Sequence, residues 1–396
     1  MKIVQVSNFP LSLVGGQEAV VYHLSRELGK LGHELIVITS TVPNALFEII
    51  PKEEFSVASV PSWEFKNRLV VPRNLEGTTR LIRDADIVHV HSPDVSFALE
   101  LGFLSKLKRK PIVTSVLCYF DSFRHPFLPM RILAFPIEIS VGLLAKISDA
   151  THVKNAGDYA KMSRLCKNVA YIPDGLPDHY FQKPKNPQLF KNRFGIDHEK
   201  IILYVGRIHP LKGVDVLIRS AKYIAEREKN FVLTIVGPSN SYRQHLESLV
   251  KELGLQKQVI FTGVLSEGEK ISAYDAAEVV VIPSCIDLVE AFSLVASEAW
   301  ARCKPVVASR IGALRYRVRP KVNGYLAEPN NPRDFADKII MSFGMNPRHI
   351  PEDVCSWKAV AESFEQLYEH ISQVPPKKRH IELDYELSRK PNFWRH

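Results

Sequence analysis

Short β-branched runs alternate with helix-length amphipathic segments along this chain, and the pattern occurs twice. In the first half "KIVQV", "ELIVIT", "ADIVHV" and "KPIVTSV" are strand-like. Between them lie "GQEAVVYHLSRELGKLG" and "PDVSFALELGFLSKLKRK", each long enough for a helix. The second half repeats the theme. Its strands are "IILYVG", "FVLTIVG", "QVIFTG", "EVVVIPS" and "KPVVAS", and its helices are "GVDVLIRSAKYIAERE", "SYRQHLESLVKELG", "GEKISAYDAA" and "SLVASEAWARC". Such alternation predicts parallel, doubly wound sheets. There are too many strands for one sheet of ordinary size. The expected fold class is therefore α/β with two Rossmann-like domains.

Pro173, Gly175 and Pro177 in "YIPDGLPDHYF" break both periodicities and place the join there. The expected organisation is a domain over residues 1–177, a second over 178–355, and a closing segment over 356–396. In that segment "SWKAVAESFEQLYEHI" reads as a helix, followed by a Pro-rich, basic tail.

With 45% hydrophobic and 24% charged residues among 396, the composition is that of a globular protein. The net charge of +9 favours anionic partners: nucleotides, phosphates, nucleic acid or an acidic membrane surface. No recognised nucleic-acid module is present, so a nucleic-acid partner is not expected. Cys118, Cys166, Cys285, Cys303 and Cys355 form no C-x-x-C pair, which argues against a zinc site and for a reduced, intracellular chain. "MKIVQVSNFP" runs straight into a strand without a secretory signal. No run reaches the about 18 apolar residues of a membrane span.

The commoner catalytic signatures are missing. There is no G-x-G-x-x-G after the first strand, no P-loop, no H-E-x-x-H and no G-x-S-x-G. "DAD" at Asp84–Asp86 has the form of a metal motif but reads as a helix end running into a strand. Gly15 and Gly16 follow the first strand and precede a helix, where glycines let backbone amides approach a phosphate. In "VGRIHPLKG", Gly206, Arg207, Lys212 and Gly213 occupy the loop after the first strand of the second domain. Ligands of open α/β sheets bind at the carboxyl ends of strands, and an Arg with a Lys there suits a diphosphate. "EAFSLVASE" sets Glu290 and Glu298 eight residues apart on an otherwise uncharged run. On a helix that is roughly 12 Å, too far for a shared proton and suited to the two ends of one ligand. The amides near Phe292–Leu294 would face an anion there.

Taken together these stretches resemble the retaining glycosyltransferases of family 4, the group 1 glycosyltransferases, which have the GT-B fold and use nucleotide-diphosphate sugars. The resemblance rests on "GGQEAVVYHLSRELGKLGHELIVIT" and "DIVHVHS" in the first half. In the second it rests on "YVGRIHPLKGVDVLI", "LTIVG", "IFTGVLSEGE", "VVVIPS", "EAFSLVASE", "KPVVAS" and "NGYLAEP", in that order. It implies two domains facing a central cleft, with the helix at 356–371 crossing back to the first. It implies that Glu290 holds hydroxyls of the donor sugar and Glu298 the ribose. Arg207 and Lys212 would neutralise the departing diphosphate. Gly206 and the amides of Phe292, Ser293 and Leu294 would hold sugar and phosphate, Gly263, Val264 and Leu265 would lie near the base, and Gly15 and Gly16 would close on the donor. The donor would be a UDP-, GDP- or ADP-sugar and the acceptor a glycan or a lipid-linked one. No metal and no resident cofactor are implied.

Two positions depart from the family's pattern. Its histidine after "PIV" falls on Val116 or Leu117, leaving His91 and His125 as stand-ins. Its G-G-x-x-E becomes "IGALRYR", with Ala313 and Tyr316 replacing Gly and Glu. The segment Arg310–Lys321 carries five basic residues, fit for an extra phosphate or for a solvated face. Around "YFDSFRHPFLPMRILAFPIEISVGLL", apolar residues mix with Arg124 and Arg131, and "KLKRK" is nearby. That chemistry suits an acceptor met on an anionic membrane. The expected location is cytoplasmic, at the inner membrane face. The alternative is a catalytically silent nucleotide-sugar-binding or scaffold protein.

Overall fold

The structure, a computed structural model, describes residues 1–11, 16–41, 47–65, 69–73, 75–92, 96–116, 128–182, 184–197, 200–287, 290–347 and 349–373. The chain divides into two compact units, Met1–Gly175 with Trp357–His396, and Leu176–Ser356.

The first unit begins β1 (Lys2–Val6), α1 (Gly16–Lys30), β2 (Glu34–Thr41), β3 (Glu48–Pro51), β4 (Ser56–Phe65), β5 (Leu69–Pro72) and α2 (Leu75–Asp84). It continues with β6 (Ile87–His91), α3 (Ser96–Leu107), β7 (Ile112–Ser115), α4 (Leu128–Ile147), β8 (Ala150–Val153), α5 (Ala156–Met162) and β9 (Val169–Tyr171). The sheet order is β3-β4-β2-β1-β6-β7-β8-β9, with β5 paired to β4. The pairings from β4 through β9 are parallel, and only β3 and β5 run antiparallel to β4. Asp86, in the "DAD" stretch, accepts the Lys2 amide at 2.7 Å, just where α2 gives way to β6.

The second unit comprises α6 (His179–Gln182), α7 (Pro187–Phe194), β10 (Lys200–Val205), α8 (Val214–Arg227), β11 (Phe231–Val236), α9 (Ser241–Glu252), β12 (Val259–Gly263) and α10 (Glu267–Ala276). β13 (Val279–Ile282), α11 (Leu294–Ala301), β14 (Val306–Ser309), α12 (Leu314–Arg317), β15 (Gly324–Ala327) and α13 (Pro332–Ser342) complete it. Its six strands are all parallel, in the order β12-β11-β10-β13-β14-β15. Helices cover both faces, which is why the strands read as unbroken apolar runs rather than alternating ones. In β11, Phe231, Leu233 and Ile235 enter one core, while Val232 and Val236 enter the other.

The last helix, α14 (Trp357–Gln373), belongs to the first unit and packs on α1. The Trp357 ring stacks on His23 at 5.5 Å, and His33 meets Glu365 at 2.9 Å. Among the described residues no helix is long and apolar enough to cross a membrane.

Candidate active site

Strand order locates the site of the second unit. From β10 the chain moves to β11 and β12 on one side, then returns to β13, β14 and β15 on the other. The switch point thus lies between β10 and β13, the place where ligands of open α/β sheets bind.

Those two loops carry the residues singled out above. Gly206 follows β10, and Arg207 after it is exposed. The buried Tyr204 hydroxyl donates to the Arg207 carbonyl at 2.8 Å and holds the loop from beneath. Burial, then the charge of Glu290, pushes that phenol far up, so it stays a donor. Arg207 pairs with no carboxylate among the described residues. A short turn at Pro210–Lys212 then presents Lys212. Its Nζ donates to Glu290 Oε1 at 2.7 Å, and Ser284 Oγ donates to the same oxygen at 2.7 Å. Glu290 is 4% exposed. Among the described residues both hydrogen bonds to the carboxylate fall on Oε1.

The contact demands close packing of the loops. Gly213 sits at φ 66°, and a Cβ there would lie 2.0 Å from the Pro283 carbonyl oxygen. The turn after β14 supports Glu290 from the other side. Ala313 N–H donates to the Glu290 carbonyl at 2.9 Å, and Gly312 N–H donates to Asp287 at 2.9 Å. Ala313 is buried in this role, whereas Tyr316 is 42% exposed.

Helix α11 starts beside Glu290. Phe292 is buried, and Ser293 has a left-handed backbone, φ 73°, with no side-chain cap on the helix. The first amides of α11 therefore carry the positive end of the helix without an internal partner. Glu298 lies one turn on. It accepts from Tyr180 Oη at 3.0 Å, Tyr274 Oη at 2.5 Å and Lys270 Nζ at 3.2 Å. Burial, then the Glu298 charge, raises both phenols. Burial pulls Lys270 down, but Glu298 and Glu267 outweigh it and the net shift is upward. The structure thus joins Glu290 to Lys212 and Glu298 to a separate cluster. Gly263 ends β12, and Val264, 69% exposed, and Leu265 follow it.

Sequence reasoning missed Ser284, Lys270, Tyr180 and Tyr274. Ser284 directly follows the "VVVIP" strand and was open to discovery there. The others come from α6 and α10, and no spacing in the sequence ties them to Glu298. The basic run 310–321 is not wholly a solvated face. Arg310 pairs with Glu328, Arg315 with Asp287, and Arg317 is buried.

In the first unit, Gly16 opens α1 and is exposed. Gly15, Arg124 and His125 lie outside the described residues, and Arg131 falls within α4. His91 ends β6 at 3% exposure, with Nε2 on Gln5 Oε1 at 2.9 Å, so its ring serves the interior.

The comparisons agree with this architecture. A model for glycosyl transferases group 1 matches residues 187–343, and one for glycosyltransferase family 4 matches residues 14–147. An uncharacterized glycosyltransferase of Methanocaldococcus jannaschii is 35% identical over 45% of this chain and 47% of its own length, about half of that relative. The D-inositol 3-phosphate glycosyltransferase of Corynebacterium aurimucosum is 24% identical over 89% of this chain and 90% of its length. Among solved structures, sucrose-phosphate synthase from Thermosynechococcus elongatus superposes with a TM-score of 0.71 at 22% identity, covering 93% of this chain and 98% of that one. Anabaena HepE in complex with UDP gives 0.69 at 16% identity, covering 94% and 100%. The fold is GT-B, and the chain belongs to the group 1 glycosyltransferases of family 4.

Proposed function

We propose that this protein is a retaining, metal-independent hexosyltransferase that moves a sugar from a UDP-, GDP- or ADP-sugar to a glycan or lipid-linked acceptor. The observation that carries the reading is the Lys212–Glu290–Ser284 contact at the switch point between β10 and β13. Breaking the bond from anomeric carbon to phosphate puts negative charge on the departing diphosphate. Arg207, Lys212 and the first amides of α11 would meet that charge already oriented, which is where electrostatic catalysis gains most. Glu290 orients Lys212 through Oε1 and keeps Oε2 for a sugar hydroxyl. Glu298, fixed by two phenols, would take the ribose. With cations supplied by the protein, no metal and no resident cofactor are needed. Retention implies attack from the face the phosphate leaves, with a phosphate oxygen taking the acceptor's proton.

Thermal stability against a panel of UDP-, GDP- and ADP-sugars tests the donor site, with Glu290→Ala and Glu298→Ala beside the wild type. One donor at 100 times its Kd should stabilise the protein by about 2.7 kcal/mol. Glu298→Ala should abolish that shift. A flat panel would overturn the reading and bring forward the catalytically silent alternative.

The acceptor side is proposed for the first unit, at the cytoplasmic face of a membrane. In α4, Phe135, Ile139 and Leu143 recur every four residues at 42%, 52% and 50% exposure, and Lys146 follows. Leu107 is 79% exposed among Lys106, Lys108 and Arg109. Apolar anchors edged by cations suit anionic headgroups. Sedimentation with phosphatidylglycerol vesicles, but not with phosphatidylcholine ones, is the expected result. Equal sedimentation with both, or with neither, counts against it.

A further inference from the structure

Arg317 is 2% exposed, and its guanidinium makes five hydrogen bonds within the protein. Nη1 donates to the Phe292 carbonyl at 2.7 Å and to the Ser293 carbonyl at 3.1 Å. Nη2 donates to Ser297 Oγ at 2.8 Å. Nε and Nη2 also hold Asp353 at 2.7 and 3.0 Å. The guanidinium carbon lies 3.8 Å from the centre of the Phe292 ring. A guanidinium has five N–H donors. With all of them engaged it has none left for a ligand, so any influence on one must pass through the groups it holds.

What it holds is the entry to α11. A peptide unit is planar and trans, so its N–H points opposite to its carbonyl. The Phe292 carbonyl shares a unit with the Ser293 N–H, and the Ser293 carbonyl shares one with the Leu294 N–H. Drawing both carbonyls back onto Arg317 therefore turns both amides outward from the other side of the turn. Neither amide is donated to another described residue. Ser293 also holds a left-handed conformation, φ 73°, which a non-glycine residue keeps only where its surroundings over-determine it. The bonds to Arg317, together with the Ser297 N–H on the Ser293 carbonyl at 3.4 Å, provide that constraint.

We propose that Arg317 is a positioning residue that aims the Ser293 and Leu294 amides at the β-phosphate of the bound nucleotide. The inference rests on the donor reading above and assigns to a buried member of the basic run a task its charge alone does not reveal. Lysine at this position has one ammonium and cannot reach two carbonyls, a hydroxyl and a carboxylate in the same plane.

The test uses calorimetry on the full chain with UMP and UDP, GMP and GDP, and AMP and ADP. For the base that binds, Arg317→Lys should leave the monophosphate affinity within about threefold and weaken the diphosphate about tenfold or more, as expected for a displaced charge-assisted bond. Asp353→Asn keeps the guanidinium and loosens its far anchor, so it should lower the same diphosphate-to-monophosphate ratio by about threefold. If Arg317→Lys does not fold, Asp353→Asn alone decides. An unchanged ratio in a folded variant overturns the proposal, as does an equal loss for both nucleotides, which marks a merely structural role. Wild-type protein that binds none of the six nucleotides overturns the donor reading and this inference with it. Wild-type binding with unaltered ratios in the variants overturns the inference alone.

Discussion

Lys212 reaches Glu290 only because its neighbour has no side chain. At Gly213 the backbone is left-handed, φ 66°, and an added Cβ would lie 2.0 Å from the Pro283 carbonyl oxygen. Two penalties therefore meet at one atom. Gly195 separates them: it ends α7 with a similar φ of 60° but has nothing within 4 Å of where a Cβ would sit. Gly195→Ala should cost only the conformational term, about 1–2 kcal/mol. Gly213→Ala should lose about 3–4 kcal/mol, because the loop after β10 must also move off β13. Urea titration of the two variants beside the wild type checks this. Equal losses would mean that the Pro283 carbonyl does not crowd a side chain at this position. The displaced loop carries Lys212 with it, so nucleotide-sugar binding should weaken in Gly213→Ala and stay unchanged in Gly195→Ala.

At the level of elements, strands buried on both faces were the easiest to read, because an apolar run between turn residues has few alternatives. "KIVQV" is β1, and "EVVVIPS" contains β13. The region 48–72 was not read as strands, although it holds β3, β4 and β5. Pro51, Pro61 and Pro72 punctuate it, and proline ordinarily demotes a strand. Here Pro51 and Pro72 sit at the ends of the short strands β3 and β5, which run antiparallel to β4, and Pro61 lies within β4 past its pairing with β3. The site was legible to the extent that it is local. Glu290 and Glu298 share one segment, and Arg207 and Lys212 share one loop, so order and spacing reveal them. The partners of Glu298 are not local. Tyr180 lies on α6 and Lys270 and Tyr274 on α10, and only the packing of those helices against α11 brings three donors to one carboxylate. Arg317 was visible only as one charge among five. Its burial follows from Asp353, a partner 36 residues away that no motif announces.

At the scale of the whole chain, the final helix is tied to the first unit by a buried histidine network. His89 lies between Tyr368 of α14 and Ser115 of β7, at 2.6 Å from each, and Ser115 continues to His152 at 2.7 Å. His152 ends on the Ile172 carbonyl at 2.8 Å, and His91 lies beside His89 with ring centres 3.9 Å apart. Lys154, paired with Asp174, is the nearby cation. Burial first, then the neighbouring histidines and Lys154, holds His89 and His91 well below the ordinary histidine value. His152 is lowered to about 3, again mainly by burial, with Lys154 adding to it against the bond to Ile172. The folded state thus keeps these rings neutral while the unfolded chain titrates near 6.5. Above that pH both states are neutral and stability is full. As pH falls from about 6.5 toward 3, the unfolded chain takes up protons that the folded one refuses, so stability falls by about 1.4 kcal/mol per pH unit for each such ring. Hydrogen exchange of the β6 and β7 amides reports this unit without averaging over the other. Their protection should decline between pH 6.5 and 5 after correction for intrinsic exchange. His152→Gln, which keeps a polar side chain but cannot titrate, should be less stable at neutral pH and show a shallower decline, by about one ring's slope. Parallel declines in the two proteins would mean that His152 is not held neutral, and that acid acts on this unit through other groups.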